Sequence, residues 1–132
     1  MKTKIINKPL IINNVPLEKI TFEQTTIIIE FDDINEKRFK AVFKPYQAIK
    51  VITADCFDKE VLLSDENLES GRYQRHILEV ENSEWIKELK NVLKDNDGEA
   101  RFLNSARHFI MDLRDNIIEI IAWDIGIEVK KG

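Results

Sequence analysis

Apolar and polar residues alternate along the first half of the chain with a period of two, which is typical of β-strands. Ile20 to Phe31 is predicted as one strand, because Ile27, Ile29 and Phe31 fall on one face. Arg38 to Lys44 alternates again, with Phe39, Ala41 and Phe43 on one face. The polar residues between the two runs predict a turn, so the pattern indicates a β-hairpin.

Shorter runs predict the other strands. Lys4 to Ile12 contains Pro9 and suits an edge strand or an irregular lead-in. Ile117 to Trp123 is apolar on both faces, which indicates a central strand. The remaining predicted strands are Tyr46 to Thr53, Tyr73 to Val80 and His108 to Leu113, the first of them after an interruption at Pro45. The strand His108 to Leu113 is predicted to form a hairpin with Ile117 to Trp123, which continues toward Val129.

A helix is predicted over residues 83–94. Ser83 is a suitable N-cap, and Glu84 places a carboxylate in the first turn. The apolar stripe comprises Trp85, Ile86, Leu89, Val92 and Leu93, which we expect to pack on the sheet. Asp55 to Gly71 has no clean period and predicts a loop with a short strand at Val61 to Leu63, and Glu99 to Asn104 predicts a short second helix.

These elements predict an α+β fold: an antiparallel sheet of about five to seven strands, with the helix 83–94 on one face. The chain of 132 residues is near the commonest domain size, so we expect a single domain over 1–132. β-Branched residues are abundant, with 20 Ile and 7 Val, which favours a sheet.

Charge and composition narrow the classes of function. The formal net charge is −4, which disfavours nucleic-acid binding because phosphates need a basic surface. No apolar run is long enough for a membrane span, and no signal peptide is evident. The single cysteine, Cys56, needs no oxidising compartment. We therefore expect a cytoplasmic protein without a membrane partner, whose oligomeric state the pattern leaves undefined.

Catalytic and metal-binding motifs are sparse. His76 and His108 both lie in predicted strands, and His108 can pair with Asp112 or Glu119 for acid–base chemistry. The simpler interpretation, and the one we adopt, is that both are ordinary histidines on the sheet surface. No spacing of His or Cys suits a metal site, and no glycine-rich loop suits a phosphate cofactor. We therefore predict no metal, no cofactor and no enzymatic activity, with a small enzyme or a structural adaptor as alternatives.

The segment with the strongest excess of a single sign of charge runs from Asp55 to Glu69. It contains six carboxylates against one cation, Lys59. A loop of one charge attracts a partner of the opposite charge, whereas the simpler interpretation is a solvated loop. The predicted partner-binding residues are Asp55, Asp58, Glu60, Asp65, Glu66 and Glu69.

The C-terminal half resembles small bacterial proteins in three segments. These are a strand leading into a Ser-Glu-Trp helix (Val80 to Leu89), a His-aromatic strand (His108 to Met111) and a Glu-bearing strand (Ile118 to Ala122), with Phe43 to Val51 resembling the strand before them. Proteins of this kind resemble immunity factors of polymorphic-toxin and contact-dependent growth inhibition systems. The resemblance implies a protein that binds a cognate toxin domain, such as a nuclease, and blocks it; it transfers no functional residue.

Overall fold

The computed structural model describes residues 2–63, 68–69 and 71–131. Its elements are β1 (Lys2–Ile5), β2 (Lys19–Glu23), β3 (Thr26–Asp32), β4 (Arg38–Thr53), β5 (Leu68–Glu69), β6 (Arg72–Tyr73), β7 (Ile77–Glu81), α1 (Glu84–Asn96), β8 (Arg107–Asp112) and β9 (Asn116–Val129). Seven strands form one antiparallel sheet in the order β1-β7-β8-β9-β4-β3-β2, and β5 and β6 form a separate two-stranded ribbon. With α1 on the sheet, the predicted α+β class is confirmed.

The single strand predicted over Ile20 to Phe31 is wrong, because the chain turns in the middle of it. β2 and β3 form a hairpin closed by the pair Glu23 and Thr26. Gln24, in the turn, has a positive φ of 52°, a conformation that short polar residues and glycine usually supply. The predicted hairpin on the other side of β3 is confirmed, because β3 pairs with β4 from Ile27 and Phe43 to Asp32 and Arg38.

The predicted interruption at Pro45 is also wrong, because β4 runs through it as one strand of 16 residues. A register shift between Tyr46 and Ala48 absorbs the irregularity, and the pairing with β9 resumes beyond it. Proline is tolerated at such a bulge because the ladder hydrogen bond that it cannot donate is already missing there. The two predicted strands are therefore one, and β9 beside it is central as expected.

The larger apolar core lies on one face of the sheet. Phe43 on β4 and Phe109 on β8 have β9 between their strands, yet their ring centroids are 5.5 Å apart. Strands two apart are separated by roughly 10 Å, so the two rings lean toward each other across β9. The segment between β1 and β2 closes this core, because the backbone N–H of Ile12 donates to Arg75 O and that of Asn13 donates to Asp32 O. The buried residues of this core include Leu10, Ile12, Ile27, Ile29, Phe31, Phe43, Ile77, Phe109, Met111, Ile118 and Ile120.

The opposite face carries a smaller core and α1. The smaller core consists of Leu62, Leu78, Val80, Ile110 and Ile117. The predicted helix is confirmed, with Ser83 as N-cap, and it continues to Asn96. Its apolar stripe is less buried than expected, because no residue of α1 is fully buried and Val92 is 57% exposed. The helix therefore lies on the surface, and Trp85 in its first turn contacts His108 of the sheet.

Three boundaries differ from the sequence prediction. The strand predicted at Val61 to Leu63 is replaced by a 3-10 turn at Lys59–Val61. The strand predicted from Tyr73 is divided between β6 and β7. The short helix predicted at Glu99 to Asn104 is a 3-10 turn at Phe102–Ser105. Each difference lies where the sequence has no sustained period.

Candidate functional site

Three side chains distant in sequence form a hydrogen-bonded row beneath the start of α1. The Nδ1 atom of His108, on β8, is 2.7 Å from the hydroxyl oxygen of Ser83. Its Nε2 atom is 2.7 Å from the Oε1 atom of Glu119, on β9. Ser83 is 6%, His108 2% and Glu119 7% exposed, so the row is enclosed.

We assign the protons of this row by requiring a partner for every polar group. The Ser83 oxygen already accepts from the backbone N–H of Ile86 at 3.1 Å, as an N-cap does. The hydroxyl of Ser83 then donates to Nδ1 of His108, and Nε2–H donates to the Glu119 carboxylate, so that every group has a partner. Serine, imidazole and carboxylate occur in the same order in the acyl-transfer triad, but the ring nitrogens are reversed here, because Ser83 meets Nδ1 and Glu119 meets Nε2.

Two further residues cover this row from the solvent side. The Trp85 ring meets the His108 ring edge-on, with centroids 5.4 Å apart and planes at 76°. The ammonium of Lys50 is 3.9 Å from the centroid of the Trp85 ring, a cation–π contact. Trp85 is half-buried, so it acts as a lid over His108 and joins the helix to the sheet.

The interpretation that both histidines are ordinary residues on the sheet surface is wrong, because His76 and His108 are each 2% exposed. Of the two acids predicted to pair with His108, the structure selects Glu119 and excludes Asp112. Asp112 is four residues away on the same strand, roughly 13 Å along it. Glu119 is on the adjacent strand, opposite Ile110, and reaches His108 diagonally.

Asp112 belongs to a second polar network at the other end of β8. Its Oδ2 atom accepts a hydrogen bond from the Tyr73 hydroxyl, and its Oδ1 atom accepts one from the backbone N–H of Arg114 at 2.8 Å. Oδ1 also lies 3.5 Å from Nε of Arg75. Burial and the hydrogen bond to Asp112 raise the pKa of Tyr73 well above its ordinary value. This network lines a cavity of about 210 Å³ with an apolar floor that includes Leu62 and Ile117.

The acidic segment lies at the surface directly after β4. Asp55, Asp58 and Glu60 are exposed, and within the described ranges none of the three forms an ion pair. Two 3-10 turns hold them, one over Ala54–Cys56 and one capped by the Asp58 carboxylate. Cys56 is exposed beside them.

Of the other predicted partner-binding residues, Asp65 and Glu66 lie outside the described residues, as does the side chain of Glu69.

Sequence reasoning identified His108 and Glu119 but missed Ser83 as their third member. Ser83 was assigned only as a helix cap, and nothing local indicates a partner 25 residues away. The available signal was the even spacing that puts His108 and Ile110 on one face of β8, which is the face that α1 must cover. Tyr73 was missed as a partner of Asp112 for the same reason, because the two are separated by 39 positions.

The described part of the chain contains no helix long and apolar enough to cross a membrane, and no group of three or more His, Cys, Asp or Glu side chains there is arranged to hold a metal ion. Comparisons with protein-family models, with curated proteins and with solved structures found no match to this chain.

Proposed function

We propose that this chain is a non-enzymatic binding protein, an immunity protein that binds and neutralises a cognate bacterial toxin domain. The observation that carries the proposal is the group of exposed carboxylates Asp55, Asp58 and Glu60, held in short 3-10 turns. Carboxylates without an internal cation remain available to a cation on another molecule. Because the turns hold their backbone, less conformational entropy is lost on binding.

The charge of this surface indicates the kind of partner. A toxin domain that cleaves nucleic acid needs a basic cleft, because its substrate is a polyanion. An inhibitor that offers carboxylates to that cleft associates faster and rejects acidic proteins. The resemblance of the C-terminal half to immunity factors points to the same class of partner.

The buried row under α1 is consistent with binding rather than catalysis. Each member is below one-tenth exposed, and the Ser83 oxygen that a nucleophile would use is engaged by both Ile86 N–H and His108. These contacts fasten the helix to the sheet. In this proposal the row stabilises the scaffold that presents the acidic surface.

The test begins with the reading frame next to this gene. If that frame encodes a toxin domain, co-expression of this chain should restore growth, and the two purified proteins should bind. Asp55→Lys with Glu60→Lys should slow association by about an order of magnitude at low salt, and the gap should shrink as salt is added. Asp58 is left intact because it caps the second turn.

A matched control separates this effect from net charge alone. Glu88→Lys with Asp95→Lys makes the same change of charge at two exposed positions of α1. This variant should associate nearly as fast as the wild type. Equal slowing in both variants, or slowing in neither, would exclude the acidic segment as the docking surface and direct attention to exposed residues such as Trp123, which is 40% exposed.

A hydrolase is the second candidate, and the Ser83–His108–Glu119 row is the observation that favours it. The step would require the start of α1 to lift so that Ser83 meets a substrate. A fluorophosphonate probe, which reacts with activated serines, distinguishes the two functions. The binding proposal expects no labelling of Ser83 in the folded protein, whereas labelling that is abolished in Ser83→Ala and in a folded His108→Gln variant would establish the hydrolase.

A further inference from the structure

The two edge strands of the sheet differ in the side chains that they expose. β1, at one edge, carries Lys2 and Lys4, whose ammonium groups lie 3.8 Å from Glu81 and 3.9 Å from Glu79. Charged edge strands of this kind resist pairing with another chain. β2, at the other edge, instead presents Phe22 with 56% of its surface exposed.

The sequence of β2 is complementary to itself. It reads Lys19-Ile20-Thr21-Phe22-Glu23. If two copies of this strand pair antiparallel about Thr21, Lys19 of each lies opposite Glu23 of the other. The same register places Ile20 opposite Phe22, an apolar cross-strand pair. Opposite charges and aromatic–aliphatic pairs are both favourable between neighbouring strands.

The backbone of β2 suits the same register. Glu23 and Thr26 close a hairpin with two residues in its turn, and the closing pair of such a hairpin exchanges hydrogen bonds. Alternate residues then face alternate sides, so the N–H and C=O groups of Lys19, Thr21 and Glu23 point to β3. Those of Ile20 and Phe22 point to the open edge. Pairing about Thr21 sets the open groups of Ile20 against those of Phe22 in the second copy.

The side chains at this edge also leave an apolar surface for a neighbour. Ile20 is partly buried against the larger core, and the Phe22 ring meets the Tyr46 ring edge-on with centroids 6.1 Å apart. The far side of Phe22 is exposed. A second copy would cover it with its own Ile20.

We propose that this protein forms a two-fold dimer in which β2 pairs antiparallel with β2 of a second copy, centred on Thr21. The two seven-stranded sheets then become one continuous sheet. The interface is isologous, because each copy contributes the same strand. This inference is independent of the toxin-binding proposal, since β2 lies at the sheet edge, whereas Asp55, Asp58 and Glu60 lie at the 3-10 turns after β4.

Disulfide trapping tests the register. In a Cys56→Ser background, which removes the exposed native thiol, Thr21→Cys should form a disulfide-linked dimer on mild oxidation. In the proposed register position 21 faces itself as a non-hydrogen-bonded pair, with Cα atoms about 4.5 Å apart, within disulfide range. Lys19→Cys is the matched control, because the two copies of position 19 lie roughly 14 Å apart and should not cross-link.

Sedimentation tests the dimer without a cross-link. The Cys56→Ser protein should dimerise with rising concentration, and Phe22→Lys should be monomeric with an unchanged circular dichroism spectrum. In a Glu23→Lys dimer, Lys19 of each copy lies opposite a lysine of the other copy. The dissociation constant of this variant should therefore rise about tenfold above that of the parent protein at low salt, and by less at high salt. Two results would overturn the proposal: wild-type protein that stays monomeric at its highest soluble concentration, or cross-linking at position 19 but not at position 21. If the wild type is monomeric, the edge of β2 remains open to pairing with a strand of another protein.

Discussion

Replacing Ser83 by alanine tests whether the buried row fastens α1 to the sheet. The substitution removes two interactions of one oxygen atom: the cap on the N–H of Ile86, at 3.1 Å, and the hydrogen bond with Nδ1 of His108, at 2.7 Å. The side chain becomes smaller by one atom, so the cavity is minor. The effect on stability is therefore set by hydrogen bonds and by little else.

The magnitude follows from the two losses. An N-cap serine contributes about 1 kcal/mol. A buried imidazole nitrogen left without a partner costs about 1–3 kcal/mol, and His108 is 2% exposed, so water does not easily replace the hydroxyl. We expect Ser83→Ala to lower the free energy of unfolding by about 2–4 kcal/mol.

Urea denaturation followed by circular dichroism and by tryptophan fluorescence measures this loss. Asp58→Ala is the matched control, because Asp58 caps a 3-10 turn through its side chain but is exposed and has no buried histidine as partner. It should cost about 1 kcal/mol or less. If Ser83→Ala costs no more than Asp58→Ala at equal m-values, the bond between Ser83 and His108 does not contribute to folding, and the structural role assigned to the row is refuted.

Three further predictions concern packing and titration. Trp85→Ala should cost about 1–3 kcal/mol in urea melts, below the range of about 3–5 for a fully buried tryptophan, because Trp85 is half-buried; a loss in the higher range would contradict its position at the surface. Phe43→Ala, at 0% exposure in the larger core, should cost about 3–5 kcal/mol, and a cost near that of an exposed residue would refute the burial of Phe43 in that core. Burial and the bond to Asp112 raise the pKa of Tyr73 in the folded state, so folding stability should fall as the pH rises above about 10. In Tyr73→Phe that fall should be shallower in melts at pH 9 to 11, and an identical slope would contradict the buried hydrogen bond.

Local patterns predicted the elements that depend on local chemistry. Ser83 before an apolar stripe gives the start of α1, and strict alternation at Phe39, Ala41 and Phe43 gives the hairpin of β3 and β4. The turn at Gln24 and Thr25 was missed because neither residue is a usual turn former, and the positive φ of Gln24 is imposed by pairing on both sides of it. Pro45 was taken as a break because a bulge that tolerates it is visible only once β9 lies alongside.

The candidate site was only half predictable. His108 and its two candidate acids could be identified by residue type, but choosing Glu119 over Asp112 requires the register of β8 and β9. That register is fixed by the turn geometry at residues 113–115 together with the burial of both strand faces. Ser83 joins the row only because α1 docks with its first turn over β8, which is a tertiary event with no local signature.

The order of strands has a consequence for how the chain is made. β9 follows every other strand of the seven-stranded sheet in sequence, yet it lies between β8 and β4 and pairs with β4 from Phe39 and Val129 to Thr53 and Asn116. Until β9 leaves the ribosome, β4-β3-β2 and β1-β7-β8 have no strand to join them. Pairings of such long sequence separation also form slowly, because loop closure precedes any gain from contact. The complete seven-stranded sheet therefore assembles only after synthesis has passed Val129, and until then β4 and β8 each have an edge without its partner strand.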